Sequence, residues 1–510
     1  MALTVAENPF RDPSVAGSVA PASAEQSGSA VMETLSVTRD VSLTLGTDSL
    51  VVLDERPHAH EEDKSFCGLR FGKQSPTRSI RYHNILWAEL LDDGELFIQY
   101  ARPISKQVVR PTIIGYKLDK PGSAEAKAWK EELVKRAYGG SQLRKRIKVL
   151  INPFGGQGTA VNIYNKHMEP ILRAAQCELD VEQTTHNGHA VEIAEKLDIE
   201  KYDVVACVSG DGIPHEVWNG LANRPDAARA LEKIAVAQLP GGSGNAMSLN
   251  FNGTVSPSLA ALAVVKGLRT PQDLVSVTQG DRRILSFLSQ SVGIVAETDL
   301  ATEHLRWMGS ARFTYGFLVR LLKKTVYPAD IAVKVEYATK DAIRKVYRAE
   351  ASKPPRNHDD RPLPAADAGL PTLQYGTIND PLPEDWALVP HDHLGNFYAG
   401  KLAWMSPDAN FFPAALPSDG CMDLVRIRGD IPRRKALGGL LAVSNNTFFD
   451  LPDVDYQKVL AYRIIPKNQK DGYISIDGER VPFEPFQAEV HRGLGTVLSK
   501  SGHLYEAVGV

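Results

Sequence analysis

The sequence predicts an α/β core set between two β-rich regions, and three observations carry that prediction. Between Ile147 and Met247, three apolar runs each end in a glycine-rich turn and lead into a helical pattern: IKVLINPFGGQGTA, DVVACVSGDGIPHEVWNGL and IAVAQLPGGSGNAMSLN. Before them, residues 36–139 carry short β-branched and aromatic segments separated by turn residues. After about Pro271 the β pattern returns. Strand–glycine–helix units in series make a parallel sheet with its loops gathered at one edge. Such sheets bind ligands beyond the carboxyl ends of their strands.

Composition bounds the function. A chain of 510 residues exceeds one ordinary core, and 43% hydrophobic against 23% charged residues suffices to bury several. The net charge of −3, from 58 basic and 61 acidic residues, argues against nucleic-acid binding by bulk electrostatics. Cys67, Cys177, Cys207 and Cys421 form no CxxC pair and suit a reducing, cytoplasmic compartment. The N-terminal MALTVAENPFRDPSVAGSVA lacks the basic start and apolar run of a secretory signal. Nowhere do about 18 apolar residues run together, so the expected membrane contact is peripheral. Nothing in the sequence decides the oligomeric state.

Residues 1–35 are rich in Ala, Ser, Pro and Glu and are expected to lack order. The β region that follows ends in SAEAKAWKEELVKRAY, where Ala126, Trp129, Leu133 and Ala137 share one helical stripe. Antiparallel strands closed by a C-terminal helix with a central Trp resemble a pleckstrin-homology (PH)-like module. A small β-barrel whose Trp129 plugs its own core accounts for the same residues. The basic run Leu143–Arg146 is expected to be a solvated linker.

In the α/β region the first unit predicts a strand at 147–151, the turn Asn152–Gly158, and a helix with Val161, Tyr164, Met168, Ile171, Leu172 and Ala175 at helical spacing. Glycines there let backbone N–H groups turn toward an anion. The turn fits neither GxxxxGK[ST] nor GxGxxG, which disfavours a P-loop ATPase and a dinucleotide enzyme. A second strand ends at Thr184, and His189 opens the next helix as a helix-start residue. The third strand, 203–208, ends in Ser209-Gly210-Asp211-Gly212, with Glu216 and Gly220 one turn apart on the helix behind it. SGDG is also an ordinary turn. The equivalent placement of Gly155-Gly156, this turn and Gly242-Ser243-Gly244-Asn245 favours one shared phosphate site instead.

At these residues the chain resembles the diacylglycerol-kinase catalytic superfamily and, within it, the sphingosine (long-chain-base) kinases. The resemblance spans roughly 145–510, broken by one insertion, and rests on LINPFGGQG, VSGDGIPHEVWNGL and LPGGSGNAM in combination. It implies a two-domain lipid kinase: a parallel α/β nucleotide domain over 145–270 and an antiparallel β-rich, lipid-substrate domain over 271–510. It also implies ATP, Mg2+, and transfer of the γ-phosphoryl group to the primary hydroxyl of a sphingoid base. Asp211 would then accept the hydroxyl proton. Asn152, Gly155, Gly156, Thr184, Ser209, Gly210, Gly212, Glu216 and the turn Gly242–Asn245 would line the nucleotide. Phe154 stands where some relatives carry a basic residue, so any phosphate contact from that position is lost.

The same resemblance makes Asp299, with Ser289 nearby, the acidic contact for the amino and hydroxyl head of a long-chain base. A helix N-cap for the segment beginning at Leu300 is the competing reading of Asp299. Arg306 and Arg312 would face phosphate, within a basic amphipathic segment whose apolar side is mostly core. Residues 351–390, dense in Pro, Ala and Asp, are expected to form a disordered insertion. Asp419-Gly420 reads as a structural turn before Asp423. Asp477-Gly478-Glu479 reads as a hairpin turn whose aspartate the family resemblance brings to the nucleotide. Ceramide kinase, diacylglycerol kinase and a non-catalytic lipid-binding scaffold remain as alternatives.

Overall fold

In the first region Leu35 and Val37, Val41, Leu43 and Leu45, and Leu96, Ile98 and Tyr100 are buried at alternate positions, as half-covered strands require. The computed structural model describes residues 33–56, 77–156, 158–301, 325–469 and 472–510, apart from the side chains of Asp299 and Ala301. Strands β1 (Thr34–Thr38), β2 (Val41–Leu45), β3 (Ser49–Asp54) and β4 (Thr77–Arg81) pair antiparallel in that order. Strands β5 (Ile85–Leu90), β6 (Glu95–Ser105) and β7 (Val108–Lys117) form a second antiparallel sheet. Helix α1 (Ala124–Tyr138) closes the module, capped by Ser123, whose side chain accepts the Ala126 N–H, and ended by Gly139 at φ +56. The stripe Ala126, Trp129, Leu133 and Ala137 is buried throughout, and the Trp129 indole N–H donates to the Glu33 carbonyl at 3.3 Å. β1 begins inside the stretch 1–35 expected to lack order, and the rest of that stretch lies outside the described residues.

The parallel region follows: β8 (Arg146–Ile151), α2 (Ala160–Ile163), a π-helical turn at Tyr164–Met168, α3 (Glu169–Ala174), β9 (Glu178–Gln183), α4 (His189–Glu195), β10 (Val204–Ser209), α5 (Gly212–Ala222), α6 (Ala227–Lys233), β11 (Ala235–Pro240), α7 (Ala246–Asn252) and α8 (Pro257–Lys266). The strands lie in the order β9-β8-β10-β11, all parallel. After β8 the chain crosses to one side and then returns to the other, so β8 and β10 flank the topological switch point. A crevice opens there beyond their carboxyl ends.

The β-rich region comprises β12 (Leu268–Gln279), β13 (Arg282–Ser286), β14 (Ser289–Gly293), α9 (Ile294–Ala301), β15 (Ala329–Tyr337), α10 (Lys340–Ala351), β16 (Val389–His391), β17 (Leu394–Gly400), β18 (Trp404–Ser406), β19 (Ala409–Asn410), β20 (Met422–Arg428), α11 (Arg433–Ser444), β21 (Asp455–Pro466), β22 (Ile474–Ile476), β23 (Glu479–Val481) and β24 (Phe486–Ser499). The expected division at 270/271 falls inside β12. β24 pairs antiparallel with β12 and β21 and, through Thr496 and Val497, parallel with β11. One sheet therefore runs through both halves.

Two expectations are corrected. Lys145, read as part of a solvated linker, is 1% exposed. Its ammonium donates to the Val265 carbonyl at 2.7 Å and the Ser141 hydroxyl at 3.0 Å, where the first module packs on α8. Burial pushes it down to about 8. Residues 352–388 form no strand or helix, yet they are strapped to the sheet rather than disordered. The N–H groups of Gln374 and Tyr375 donate to the buried Glu489 carboxylate at 2.9 Å each, and that of Ile378 to the Thr278 hydroxyl at 3.0 Å. The Arg463 guanidinium binds the Thr377 and Asp380 carbonyls at 3.0 Å. Trp386 packs with Ala332 and Ala461.

The turn at Asp419-Gly420 sits in a buried ionic core. The Lys401 ammonium lies 2.8 Å from Asp273 and 3.0 Å from Asp419, and Lys458 lies 2.7 Å from Asp419 and 2.8 Å from Asp423. The Tyr456 hydroxyl donates to Asp423 at 2.6 Å. Burial disfavours every one of these charges, and their mutual attraction holds Asp419 down to about 2 and both lysines above their usual range. Removing one partner strands the others. Lys458→Met is therefore expected to lower the unfolding free energy by about 3–5 kcal/mol in urea titration; an unchanged midpoint would contradict this reading of the core.

Candidate functional site

The three glycine turns, at the ends of β8, β10 and β11, meet backbone to backbone. A Cβ on Gly242 would lie 2.2 Å from the Gly210 nitrogen, and one on Gly210 would lie 2.8 Å from the Gly244 carbonyl oxygen. Gly156, at φ +61, presents the same constraint against the Gly241 carbonyl at 3.1 Å, with Gly155 beside it at 3.4 Å. Side chains then fix the turns. The Asn152 side-chain oxygen accepts the Phe154 N–H at 3.0 Å, while the Asn152 N–H donates to the Val208 carbonyl at 3.1 Å. The Asn245 amide closes its own turn on Gly242 at 2.9 and 3.3 Å. Ser209 is buried and its hydroxyl donates to the Gly210 carbonyl at 2.7 Å; Thr184 is buried where β9 ends. Ser243 is exposed at the tip of the third turn, and Phe154 at the first is 77% exposed.

Asp211 lies at the seam of the cradle. Its carboxylate accepts the Ala246 N–H at 2.9 Å and the Met247 N–H at 3.0 Å, the first two donors of α7, and the Gln238 amide at 3.2 Å. It is partly exposed at the cleft yet densely surrounded. Burial pushes the carboxyl above its ordinary 3.8, resisted by the Met247 and Ala246 N–H groups and the Gln238 amide and assisted by the charge of Asp477. Gln238 also accepts the Ser248 N–H at 2.7 Å, so one buried glutamine ties β11, α7 and Asp211 together. Behind Gly212, α5 carries Glu216, which accepts the Ala190 N–H at 3.1 Å and so fixes the start of α4. His189 is the first residue of that helix.

Asp477 joins this cradle to the β-rich half. It adopts φ +53, and its buried carboxylate collects five donors: the Ser286 hydroxyl at 2.5 Å, the N–H groups of Phe287, Leu288 and Ser289 at 2.9–3.0 Å, and the His215 ring at 2.8 Å. One turn on, Asn219 exchanges hydrogen bonds with the Leu285 backbone at 2.9 Å in both directions. Ser289 is thereby held by Asp477 at both its N–H and its carbonyl. Glu479 is exposed, its carboxylate 3.5 Å from where a Cβ on Gly212 would stand.

Asp299, expected at the substrate head, is a late residue of α9, which starts at Ile294. The N-cap reading of Asp299 is corrected, because the helix begins five residues before it. Arg306 and Arg312 lie outside the described residues. An apolar cavity of about 240 Å³ opens between α9 and α11, lined by Ile294, Val295, Phe411, Ile427, Val443 and Phe448. Asp299 follows Val295 by one helical turn. Sequence reasoning missed Gln238, His215 and Glu479. His215 had one local signal, its i+4 spacing from Asp211 on the same helical face, but its partner is 262 residues away.

Comparisons with known proteins identify the family. Residues 146–277 match the family model described as diacylglycerol kinase catalytic domain, and residues 33–139 match a domain of unknown function (DUF7493). The class is thus that of proteins built on a diacylglycerol kinase catalytic domain. The sphingoid long chain base kinase 5 of Saccharomyces cerevisiae is 37% identical, covering 88% of this chain and 73% of its own. The sphingoid long chain base kinase 4 of Schizosaccharomyces pombe is 32% identical, covering 86% and 92%. A diacylglycerol kinase crystal structure from Bacillus anthracis aligns with 70% of this chain and 97% of its own at 18% identity and a TM-score of 0.46. The chain belongs to the sphingoid long-chain-base kinase family of enzymes.

The His215–Asp477 contact has a pH signature. Burial alone would lower the imidazole, but the Asp477 hydrogen bond and charge, with Glu479 and Glu216, raise it above 6.5. A raised histidine contributes stability that is complete below pH 6.5 and is lost as pH rises through the folded value. The melting temperature is expected to fall over that interval and to lose this slope in His215→Asn. Identical slopes in the two proteins would contradict the assignment.

Proposed function

We propose that this chain transfers the γ-phosphoryl group of ATP to the primary hydroxyl of a sphingoid long-chain base, with Asp211 orienting that hydroxyl. The observation that carries the proposal is the position of the Asp211 carboxylate at the edge of three glycine turns in mutual contact. In the reaction the hydroxyl oxygen bonds to the γ-phosphorus, the bond to the β–γ bridging oxygen breaks, ADP leaves, and the proton passes to Asp211. Phosphoryl transfer needs positioning and charge neutralisation above all. Gly155, Gly156, Gly210, Gly212 and Gly242–Asn245 supply the closely approached backbone, with Asn152, Thr184 and Ser209 fixing the strand ends. Glu216 acts by holding α4. Asp477, whose carboxylate is fully engaged by protein donors, acts by setting the turn that carries Glu479 rather than by touching the nucleotide.

Among the described residues no three His, Cys, Asp or Glu side chains converge as a metal site. Mg2+ prefers one or two carboxylates together with substrate phosphates, and the exposed Glu479 beside Gly212 would supply one. Bound with ATP, the ion would neutralise phosphate charge. Arg306 and Arg312 are assigned to phosphate on the family pattern. On the same pattern Asp299 supplies a counter-charge to the substrate amine, and Ser289 is assigned with it to the polar head. The apolar cavity adjoining α9 takes the hydrocarbon tail, each buried methylene contributing about 0.8 kcal/mol. An amine distinguishes sphingosine, dihydrosphingosine and phytosphingosine from ceramide and diacylglycerol, which lack that charge. No described helix is long and apolar enough to cross a membrane, and a peripheral encounter with the lipid suits this substrate. The four- and three-stranded sheets closed by α1 support the PH-like reading of the first module.

Purified protein with labelled ATP is expected to phosphorylate sphingosine in preference to ceramide and diacylglycerol. Transfer to ceramide alone would overturn the substrate, and no transfer at all would favour a scaffold. Asp211→Asn keeps one acceptor oxygen for α7 but sets its NH2 against the other bonded N–H, so it is expected to lower kcat by about 10²–10⁴-fold with a modest fall in melting temperature and the fold retained. In the wild type the raised carboxyl places the acid limb of kcat/KM above the usual aspartate range. Near-normal turnover in the Asn variant would remove Asp211 from the chemistry.

A further inference from the structure

We propose that the tip of the β6–β7 hairpin, together with the adjoining π-helical turn after α2, docks this enzyme on an anionic bilayer surface. Residues 102–107 are all exposed, and Ile104 at the tip is 48% exposed. Arg102 and Arg110 stand directly opposite each other across the hairpin. Like charges in that register cost stability, and no carboxylate offsets them: among the described residues, Arg102, Lys106, Arg110 and Lys166 make no ion pair. Lys166 and His167 of the π-helical turn belong to the same patch. The His167 imidazole is held below its ordinary value by burial and by the charges of Lys166 and Arg110. On a chain of net charge −3 this is a local concentration of cations.

The hairpin is also fixed in a useful place. The Val109 N–H donates to the Ser258 hydroxyl at 3.1 Å, and the Ser256 hydroxyl donates to the Gln107 carbonyl, which pins the tip to the start of α8. α8 ends at Lys266, where the Val265 carbonyl meets Lys145, the residue just before β8. The end of α8 therefore marks the amino edge of the parallel sheet, and its start points toward the carboxyl edge where the glycine turns open. Val255, next to Ser256, adds a second exposed apolar side chain at 41%.

A convex tip with one branched apolar residue among unpaired cations suits a charged lipid interface better than a groove-seeking peptide. Docking there sets the carboxyl edge of the sheet toward the membrane that holds the lipid substrate. The inference rests on the lipid-kinase reading for its purpose but not for its test.

Sedimentation of the full-length protein with phosphatidylcholine vesicles, with and without phosphatidylserine, is the experiment. Binding is expected only with phosphatidylserine and should weaken with salt. Arg102→Ser/Lys106→Ser/Arg110→Ser is expected to weaken it by about fivefold per cation, roughly a hundredfold together. Ile104→Ser should weaken it less. Phosphorylation of detergent-dispersed sphingosine should be unchanged in both variants. Equal binding to neutral and anionic vesicles, or wild-type binding by the triple variant, would overturn the proposal. Retention on immobilised polyglutamate without vesicle binding would overturn it in favour of an acidic protein partner. A wild type that binds vesicles but phosphorylates no lipid would instead defeat the proposed reaction and leave the docking surface standing.

Discussion

The approach of Gly242 to Gly210 is the constraint on which the cleft depends. With 2.2 Å between the Gly210 nitrogen and any Cβ at 242, no residue larger than glycine lets the turns after β10 and β11 touch. Because they touch, the first N–H groups of α7 come within reach of Asp211, and Gln238 can bridge strand, helix and carboxylate. The same closeness leaves a lining of backbone rather than side chains, which is the surface a triphosphate can approach most nearly. From Gly212, α5 carries the arrangement outward through Glu216 to α4 and through His215 to Asp477.

Much of this cleft was legible in the sequence because its signals are local. Apolar runs ending in glycine reported the strand ends, and their recurrence reported a shared edge. Asn152, Ser209, Asp211 and Asn245 sit inside those turns and came with them. Gln238 did not, since a glutamine in IAVAQLP looks like a surface residue of a strand until the fold buries it at 1% exposure. His215 and Asp477 form a pair only across two halves of the chain. Asp477 could be linked to the cleft by family likeness, but its five-donor socket depends on the β13–β14 turn folding onto it.

The segment 352–388 shows why composition misleads about order. Its sequence has few apolar groups, and burial alone would not offset its ordering entropy. Its backbone is nevertheless held by Glu489, Thr278 and Arg463, polar side chains of the sheet that take its N–H and carbonyl groups as partners. Lys145 makes the same point in reverse: within a basic run it looked solvated, yet the Val265 carbonyl at the end of α8, the Gln142 carbonyl and the Ser141 hydroxyl accept its ammonium. The continuity of the sheet through β24 was hidden for a related reason. A terminal strand that pairs with both β11 and β12 can be placed only when the whole topology is known.

Determination of the structure with a non-hydrolysable ATP analogue, Mg2+ and sphingosine tests the central claim most directly. The account predicts phosphates within hydrogen-bonding distance of all three glycine turns and the substrate hydroxyl against the Asp211 carboxylate. Phosphates held by one turn alone, or a hydroxyl remote from an Asp211 still fully committed to Ala246 and Met247, would contradict it.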